Sequence, residues 1–415
     1  SVLVLFGAAA VPAEEPVTYI KAGRVLDVRA GEILTNQVIE VRGERIERVV
    51  PASEAALPHG ANVIDLSGAT VLPGLIDAHD HLTGDHRFHG YRALSISVPR
   101  ETLYGVLGAR KTLAAGFTTV RNVGASGYAD VALRDAINDG EIPGPRIRAS
   151  GPALGITGGH CDVTGYIPGV LEGDYREGIA DGAGEVLKAV RYQIKHGARV
   201  IKTCATAGVL SFEGPVGAQQ YSEEELRVMV EEAARHGMKV SAHAHGTEGI
   251  IAAVRAGVAS IEHGSMLNEE AIALMKEKGT YLVPTTYLAD NIPLDVLPPH
   301  IRAKAESILP VAKESVRRAI RAGVKIAFGT DAAVFPHGDN AKEFTALVER
   351  GLTPLEAIRS ATLNAVDLLG VDDRGLIAPG RLADIIAVPG NPLEDIRVLE
   401  DVRFVMKGGK VFKHE

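Results

Sequence analysis

Tryptophan is absent from these 415 residues, cysteine occurs twice, and aromatic residues make up 5% of the chain. Two cysteines cannot frame a chain of this length, so a disulfide-stapled secreted miniprotein is excluded. No basic block occurs either: 44 Lys and Arg stand against 52 Asp and Glu, for a net charge of -8. The affinity of a nucleic-acid binder rests on clustered cations, so that class falls away. No internal apolar run approaches the roughly 20 residues that a membrane-spanning helix needs. What the chain does have is 46% hydrophobic residues in short runs and 46 Gly. That suffices for a large core, either as two or three domains or as one α/β barrel with an appendage.

The opening SVLVLFGAAAVPA, followed by Glu14 and Glu15, is apolar and ends in small residues. Residues 1–13 read as the apolar region of a secretory signal peptide cut after Ala13, so an exported protein, periplasmic or extracellular, is expected. The alternative is a hydrophobic arm packed on the body of a cytoplasmic protein. From Val17 to about Val71 the pattern alternates with period two, with Gly23, Gly31, Gly43 and Gly68 as punctuation; this predicts antiparallel hairpins. The same texture returns in LADIIAVPG and VRFVMKGGKVFKH, with Gly408-Gly409 as a tight turn. Residues 14–71 and 367–415 are therefore expected to build one β-sandwich domain from both ends.

Residues 72–366 have another rhythm. Apolar strands LPGLIDAHDH, FTTVRNVG, PRIRASGPALG, RVIKTCATAG, KVSAHAHG, SIEHG, TYLVPTT and KIAFGTDA alternate with amphipathic stretches such as EELRVMVEEAARHG and NEEAIALMKEKG. Each of those stretches ends in Gly, where a helix C-cap is expected. Eight strand–helix units in this order predict a (β/α)8 TIM barrel. A doubly wound open sheet is the alternative, but no Gly-rich dinucleotide fingerprint supports it.

Reactive residues of such barrels lie at the C-terminal strand ends, and here those ends carry metal ligands. His79 and His81 are two apart in DAHDH, on one face of a strand; His243 and His245 repeat the spacing in SAHAHG. IEHG adds His263 and GTD adds Asp331. Any one of these histidines alone would suit a core or surface role, but four furnished strand ends point to a metal centre. Lys202, inside VIKTC, is an apolar-flanked lysine that is costly to bury as a cation. It is read as a neutral amine carboxylated by CO2 to a metal-bridging carbamate, with an ion pair to Asp331 as the alternative.

The order HxH, Lys, His, His, Asp on successive strands resembles the amidohydrolase superfamily, as do LPGLIDAHDH, TTVRNVG, ATLNAVDLLG and GLIAPGRLADIIAV. The resemblance implies that His79 and His81 bind a buried divalent cation and that His243 and His263 bind a second, more exposed one. It further implies that carbamylated Lys202 bridges the two. Asp331 would then bind the buried metal and handle the proton of an attacking hydroxide held between the cations. The ligand chemistry suits zinc, although cobalt or manganese can take the same groups. Mononuclear deaminase-like members resemble HxxE at the fifth strand, whereas the third residue after His243 is Gly246; this favours the binuclear branch.

Within that branch ITGGHCD and KVSAHAHGTEG are similar to Xaa-Pro dipeptidase, carboxypeptidase-like and ochratoxin-hydrolysing amidohydrolases. The expected reaction is cleavage of the amide of an N-acyl amino acid or dipeptide-like substrate, aromatic leaving residues included. By this resemblance His160 helps to hold or polarise the scissile carbonyl and His245 contacts substrate, with a structural histidine as the alternative for each. In the loop GVLSFEGPVGAQQYS, Leu210 and Phe212 are the apolar substrate-wall candidates. Arg121, Arg92 and His89 are the candidates to pair a substrate carboxylate, with a structural Arg121 as the alternative. Cys161 and Cys204 read as free, partly buried thiols, with spare ligands or an exported disulfide as alternatives. A lactonase or cyclic-amide (imidazolonepropionase-like) hydrolase is the competing enzyme reading. A non-catalytic scaffold is disfavoured because all six ligand positions are filled. No membrane or nucleic-acid partner is expected, and the resemblance implies a homo-oligomer, an octamer.

Overall fold

The computed structural model describes residues 16–88, 90–292 and 294–415. The expected export segment 1–13 and the candidate His89 lie outside the described residues. The chain opens with β1 (Val17–Asp27), β2 (Glu32–Arg42), β3 (Arg45–Pro51) and β4 (Asn62–Pro73). Seven short parallel strands follow: β5 (Leu75–Asp80), β6 (Phe117–Asn122), β7 (Arg146–Ala149), β8 (Ile201–Cys204), β9 (Val240–Ala244), β10 (Ser260–His263) and β11 (Tyr281–Val283). The chain closes with β12 (Ile385–Pro389), β13 (Phe404–Lys407) and β14 (Lys410–His414).

The outer strands form one seven-stranded sheet in the order β14-β13-β12-β4-β1-β2-β3, so both ends of the chain share it. Its period-two pattern serves two cores. Val71, Ile385, Ala387, Phe404 and Met406 pack with Ile20 and Ile39 in the sheet's own cluster. Their neighbours Leu72, Ile386, Val388 and Val405 point the other way, into the large core shared with the barrel. Gly408 and Gly409 turn β13 into β14 with φ of +54° and +73°, which a Cβ would oppose.

The seven parallel strands fall into the ladders β5-β6-β7 and β8-β9-β10-β11, and single bridges close the ring. Leu154 pairs Thr203 between the ladders, and Leu282 pairs Ile326 on one side of the gap. On the other, Asp80 pairs Ala332 and the Ala78 N–H donates to Phe328 O (2.8 Å). The eighth expected strand, KIAFGTDA, is thus present as an extended segment rather than a regular ladder. Its Phe328 N–H is diverted to Ser360 O (3.0 Å), and Asp331 has left-handed backbone (φ +61°), so its pairing with β5 is irregular rather than a continuous ladder. The helices between strands begin and end as their caps dictate. A Ser222–Glu225 capping box opens Glu223–Arg235, and Gly279 at φ +69° closes Glu269–Lys278. No helix of the described residues is long and apolar enough to cross a membrane.

Phe117, Phe328 and Phe344 stack through the core, with ring centroids 5.4 and 4.3 Å apart, and all three are fully buried. Phe328 is the central ring and also sits in the closing segment. Phe328→Ala should therefore lower unfolding stability by about 3–5 kcal/mol. Chemical denaturation would measure it, and a loss below about 1 kcal/mol would show that the segment does not hold the barrel closed.

Candidate active site

The C-terminal ends of the barrel strands bring five imidazoles, a carboxylate and a lysine together. His79 Nε2 and His81 Nε2 each lie 3.3 Å from Asp331 Oδ1, and these ligand atoms all lie within 4.8 Å of one another. The His263 ring centroid is 5.0 Å from that of His79 and 4.7 Å from that of His243; His245 is 4.6 Å from His243. His160, from the loop after β7, stacks on His243 at 4.1 Å. Lys202 lies on β8, 4% exposed, and borders the same cavity.

Partners on the outer ring nitrogens leave the inner ones free. His79 Nδ1 meets Glu262 Oε2 at 2.7 Å, His263 Nδ1 meets Thr285 Oγ1 at 2.8 Å, and His245 Nδ1 meets Ser265 Oγ at 2.7 Å. The buried His243 Nε2 has no hydrogen-bond partner in the protein. Imidazole nitrogens of His79 and His81 converging on the Asp331 carboxylate, with the buried and orphaned His243 Nε2 beside them, fit a divalent cation. A carboxylate behind a metal-facing histidine is also the usual way of orienting the ring.

Electrostatics match. Burial, then the neighbouring imidazoles, press His243 well below the usual histidine range and hold His245 at about 3; both are neutral and available as ligands. Burial raises carboxyl groups, yet His79 and His81 hold Asp331 well below the carboxylate range. Burial pulls the Lys202 ammonium down to about 8.

Four non-glycine residues here have left-handed backbone: His263 (φ +69°), Thr285 (+46°), Asp331 (+61°) and Ala333 (+101°). Strain of this kind collects at functional sites. It also decides which way the side chains point. Strand alternation puts neighbours Glu262 and His263 on opposite faces, but the turn at His263 brings both to the centre. Glu262 is 0% exposed and accepts from Arg121 Nη2 (2.8 Å) and Ser260 Oγ as well as meeting His79. Burial acts to raise it; Arg121 and His79 hold it well below the carboxylate range. Sequence reasoning passed over Glu262, and the available signal was an acidic residue in an otherwise buried strand, SIEHG.

The expected substrate role of Arg121 is corrected. Its guanidinium is 3% exposed and spent on Ala78 O, Ser260 Oγ and Glu262, and it does not line the cavity. Arg92 is exposed and does not line it either. Phe212 is also corrected: its ring lies against His300 (4.9 Å), outside the cavity lining, whereas Leu210 does line it. The cysteines are corrected too. Cys161 and Cys204 form a disulfide, with Cα atoms 5.9 Å apart, which ties the loop carrying His160 to the end of β8 two residues beyond Lys202.

That loop is organised further by a network outside the expected set. His160 Nδ1 meets Ser211 Oγ (2.6 Å), and Ser211 donates to Glu213 Oε1 (2.6 Å), which lies 3.2 Å from the same nitrogen. Burial acts to raise Glu213, but His160 and Ser211 bring it down to about 2. Lys304 Nζ binds Ser211 O at 3.0 Å. A Cβ on Gly208 would sit 2.2 Å from His160 Cε1, so only glycine admits the ring. Above the imidazoles opens a cavity of about 450 Å³, walled by Phe88, Leu210, Leu288, Ile292, Ile308 and Leu309 among others. It has the size and the apolar walls of a small-molecule site.

Glu262→Gln keeps the shape but removes the charge that Arg121 and His79 share. Divalent metal affinity should fall by about 10–100-fold in chelator competition. An affinity within twofold of the parent would show that Glu262 does not set the ligand.

Residues 70–412 match the model of the amidohydrolase family. Ochratoxinase of Aspergillus niger is 40% identical, over 96% of this chain and 87% of its own length. Its crystal structure superposes with a TM-score of 0.83 at 37% identity, covering 97% of this chain and 96% of that one. A Xaa-Pro dipeptidase with methionine bound in its active site superposes at 0.91 and 39% identity, over 96% and 100% of the two chains. A prolidase complexed with N-methylphosphonate-L-proline gives 0.88 and 36%, again over 96% and 100%. With the furnished barrel mouth and these matches over nearly its whole length, the chain belongs to the amidohydrolase family of hydrolytic enzymes.

Proposed function

We propose that the protein hydrolyses the amide bond of N-acyl amino acids or dipeptide-like substrates and releases the C-terminal amino acid. The observation that carries this reading is the floor of the 450 Å³ cavity. There the ligand atoms of His79, His81 and Asp331 converge, with His160 on the wall. The similarity to an ochratoxinase and to dipeptidases supports amide bonds as the target.

His79, His81 and Asp331 would hold one divalent cation and His243 and His263 a second, with carbamylated Lys202 a donor to both and zinc the natural occupant of such donors. When bound, the ions supply an activated water and polarise the scissile carbonyl. The remaining work falls to the chain's own groups. Asp331 Oδ takes the proton of the attacking water and delivers it to the leaving amide nitrogen. Because Ser211 gives its hydroxyl hydrogen to Glu213, its oxygen accepts from His160 Nδ1–H. His160, held from Nδ1 by Ser211 and Glu213, would then turn its Nε2 edge toward the carbonyl oxygen where charge develops. The apolar walls exclude water and favour a bulky acyl group or side chain. The neutral His245, which lines the cavity, would meet the substrate carboxylate by a hydrogen bond rather than by charge.

For Lys202, carboxylation needs the neutral amine: the Nζ lone pair attacks CO2, one C=O electron pair moves to oxygen, and the nitrogen loses a proton. With its pKa brought down to about 8, the neutral amine is minor at a pH of about 6.5 and dominant at about 9.

Turnover should favour N-acyl-phenylalanine over Xaa-Pro substrates, followed by amino acid release; faster Xaa-Pro cleavage would move the specificity to proline. Asp331→Asn should lower kcat by about 10²–10⁴-fold, and wild-type kcat in that variant would remove Asp331 from the proton path. Metal-depleted enzyme given zinc should regain activity and two metals per chain faster at pH about 9 than at about 6.5 when dissolved CO2 is held equal at the two pH values. Lys202→Ala should regain neither, and a pH-independent recovery would argue against the carbamate.

A further inference from the structure

The opposite end of the barrel holds a second cavity of about 390 Å³, at the N-terminal ends of β6 and β7. Five arginines line it: Arg134, Arg146, Arg148, Arg199 and Arg374. Three carboxylates answer them, Asp135 beside Arg134, Asp384 beside Arg146 and Asp373 beside Arg374. Arg148 and Arg199 have no ion-paired carboxylate of their own among the described residues, although Asp373 also acts on Arg148. Arg148 Nη2 donates to Leu369 O (3.2 Å) and Arg199 Nη1 to Ala198 O (3.0 Å). The cleft therefore holds two more guanidinium groups than carboxylates paired to them, on a chain whose net charge is -8.

A structural role accounts for part of this. Arg146 through Asp384 and Arg374 through Thr119 Oγ1 (2.9 Å) tie the barrel base to the C-terminal segment. Neither bond explains the other two guanidinium groups. Burial, then the charges of Arg374 and Arg199, pull Arg148 below its usual range; a bound anion would relieve that cost. The forks come from β7, from the segment before β8 and from the stretch before β12, so guanidinium groups of three separate segments line one cleft. That arrangement suits the tetrahedral oxygens of a phosphate better than a planar carboxylate.

We propose that this basal cleft is a binding site for a phosphate dianion, free or as the phosphate group of a small molecule, held by Arg148 and Arg199. The cleft exceeds the volume of one phosphate, and Asn138 and Asp135 on its lining offer hydrogen bonds to an attached polar body.

The test is calorimetric titration of metal-loaded enzyme with inorganic phosphate and with glycerol phosphate, at constant ionic strength set by chloride. One site per chain is expected, weakened at least about tenfold in Arg148→Gln and in Arg199→Gln. Arg199 is exposed, so its variant should fold, and its amide hydrolysis without phosphate should equal that of the parent. Tighter binding of the monoester assigns the rest of the cleft to an organic group, and equal binding assigns it to free phosphate. Absence of heat would overturn the proposal, as would an affinity unchanged in both variants, which would put the anion on the metals at the other mouth.

Discussion

The barrel mouth depends on one buried carboxylate. Glu262 joins three strands at once, accepting from Arg121 on β6, meeting His79 Nδ1 of β5 and standing on β10 itself. Its charge is tolerable inside the barrel only because a guanidinium and an imidazole face it; removing one partner of such a pair typically costs about 3–5 kcal/mol. In return it fixes which His79 nitrogen faces the cavity, and through His79 the position against which Asp331 and His81 are set.

The same economy runs through the surrounding groups. Asp77 accepts from Thr330 Oγ1 (2.6 Å) and Asn340 Nδ2 (2.9 Å), so the first and last strands of the ring are latched directly beneath His79 and Asp331. Thr285 and Ser265 hold His263 and His245, and Ser211 with Glu213 holds His160. Each of these rings is oriented from its outer nitrogen by a neighbouring side chain. Loops alone could not hold five imidazoles at these spacings, and strained backbone at His263, Thr285 and Asp331 persists because the packed barrel over-determines it.

Opposite roles are therefore separated along the barrel axis. The C-terminal mouth gathers neutral donors and one carboxylate beneath an apolar wall, as metal-dependent hydrolysis requires. At the N-terminal mouth guanidinium groups collect instead, because the strand starts and the returning C-terminal segment bring arginines together there. One fold thus offers a candidate cation site at one end and the proposed anion site at the other.

Much of this was legible in the amino-acid sequence. Period-two runs at both ends predicted the shared sheet, since a strand facing two cores must alternate. HxH spacing on a strand places two rings on one face whatever surrounds it, so His79 with His81 and His243 with His245 could be read locally. The rest was not local. Arg121 read as a candidate substrate cation because nothing in TTVRN reveals Glu262, 141 residues away. Phe212 and Leu210 look alike in sequence, and only the packing of the helix Pro299–Ala322 sends one to His300 and the other to the cavity. The Cys161–Cys204 bond rests on the meeting of a loop and a strand end 43 residues apart. Sequence determined which chemistry is available and on which strand ends it stands, because strand alternation and ligand type are properties of short segments. The tertiary structure decided which groups touch substrate and which are spent on one another, because buried charges must find partners wherever the fold puts them.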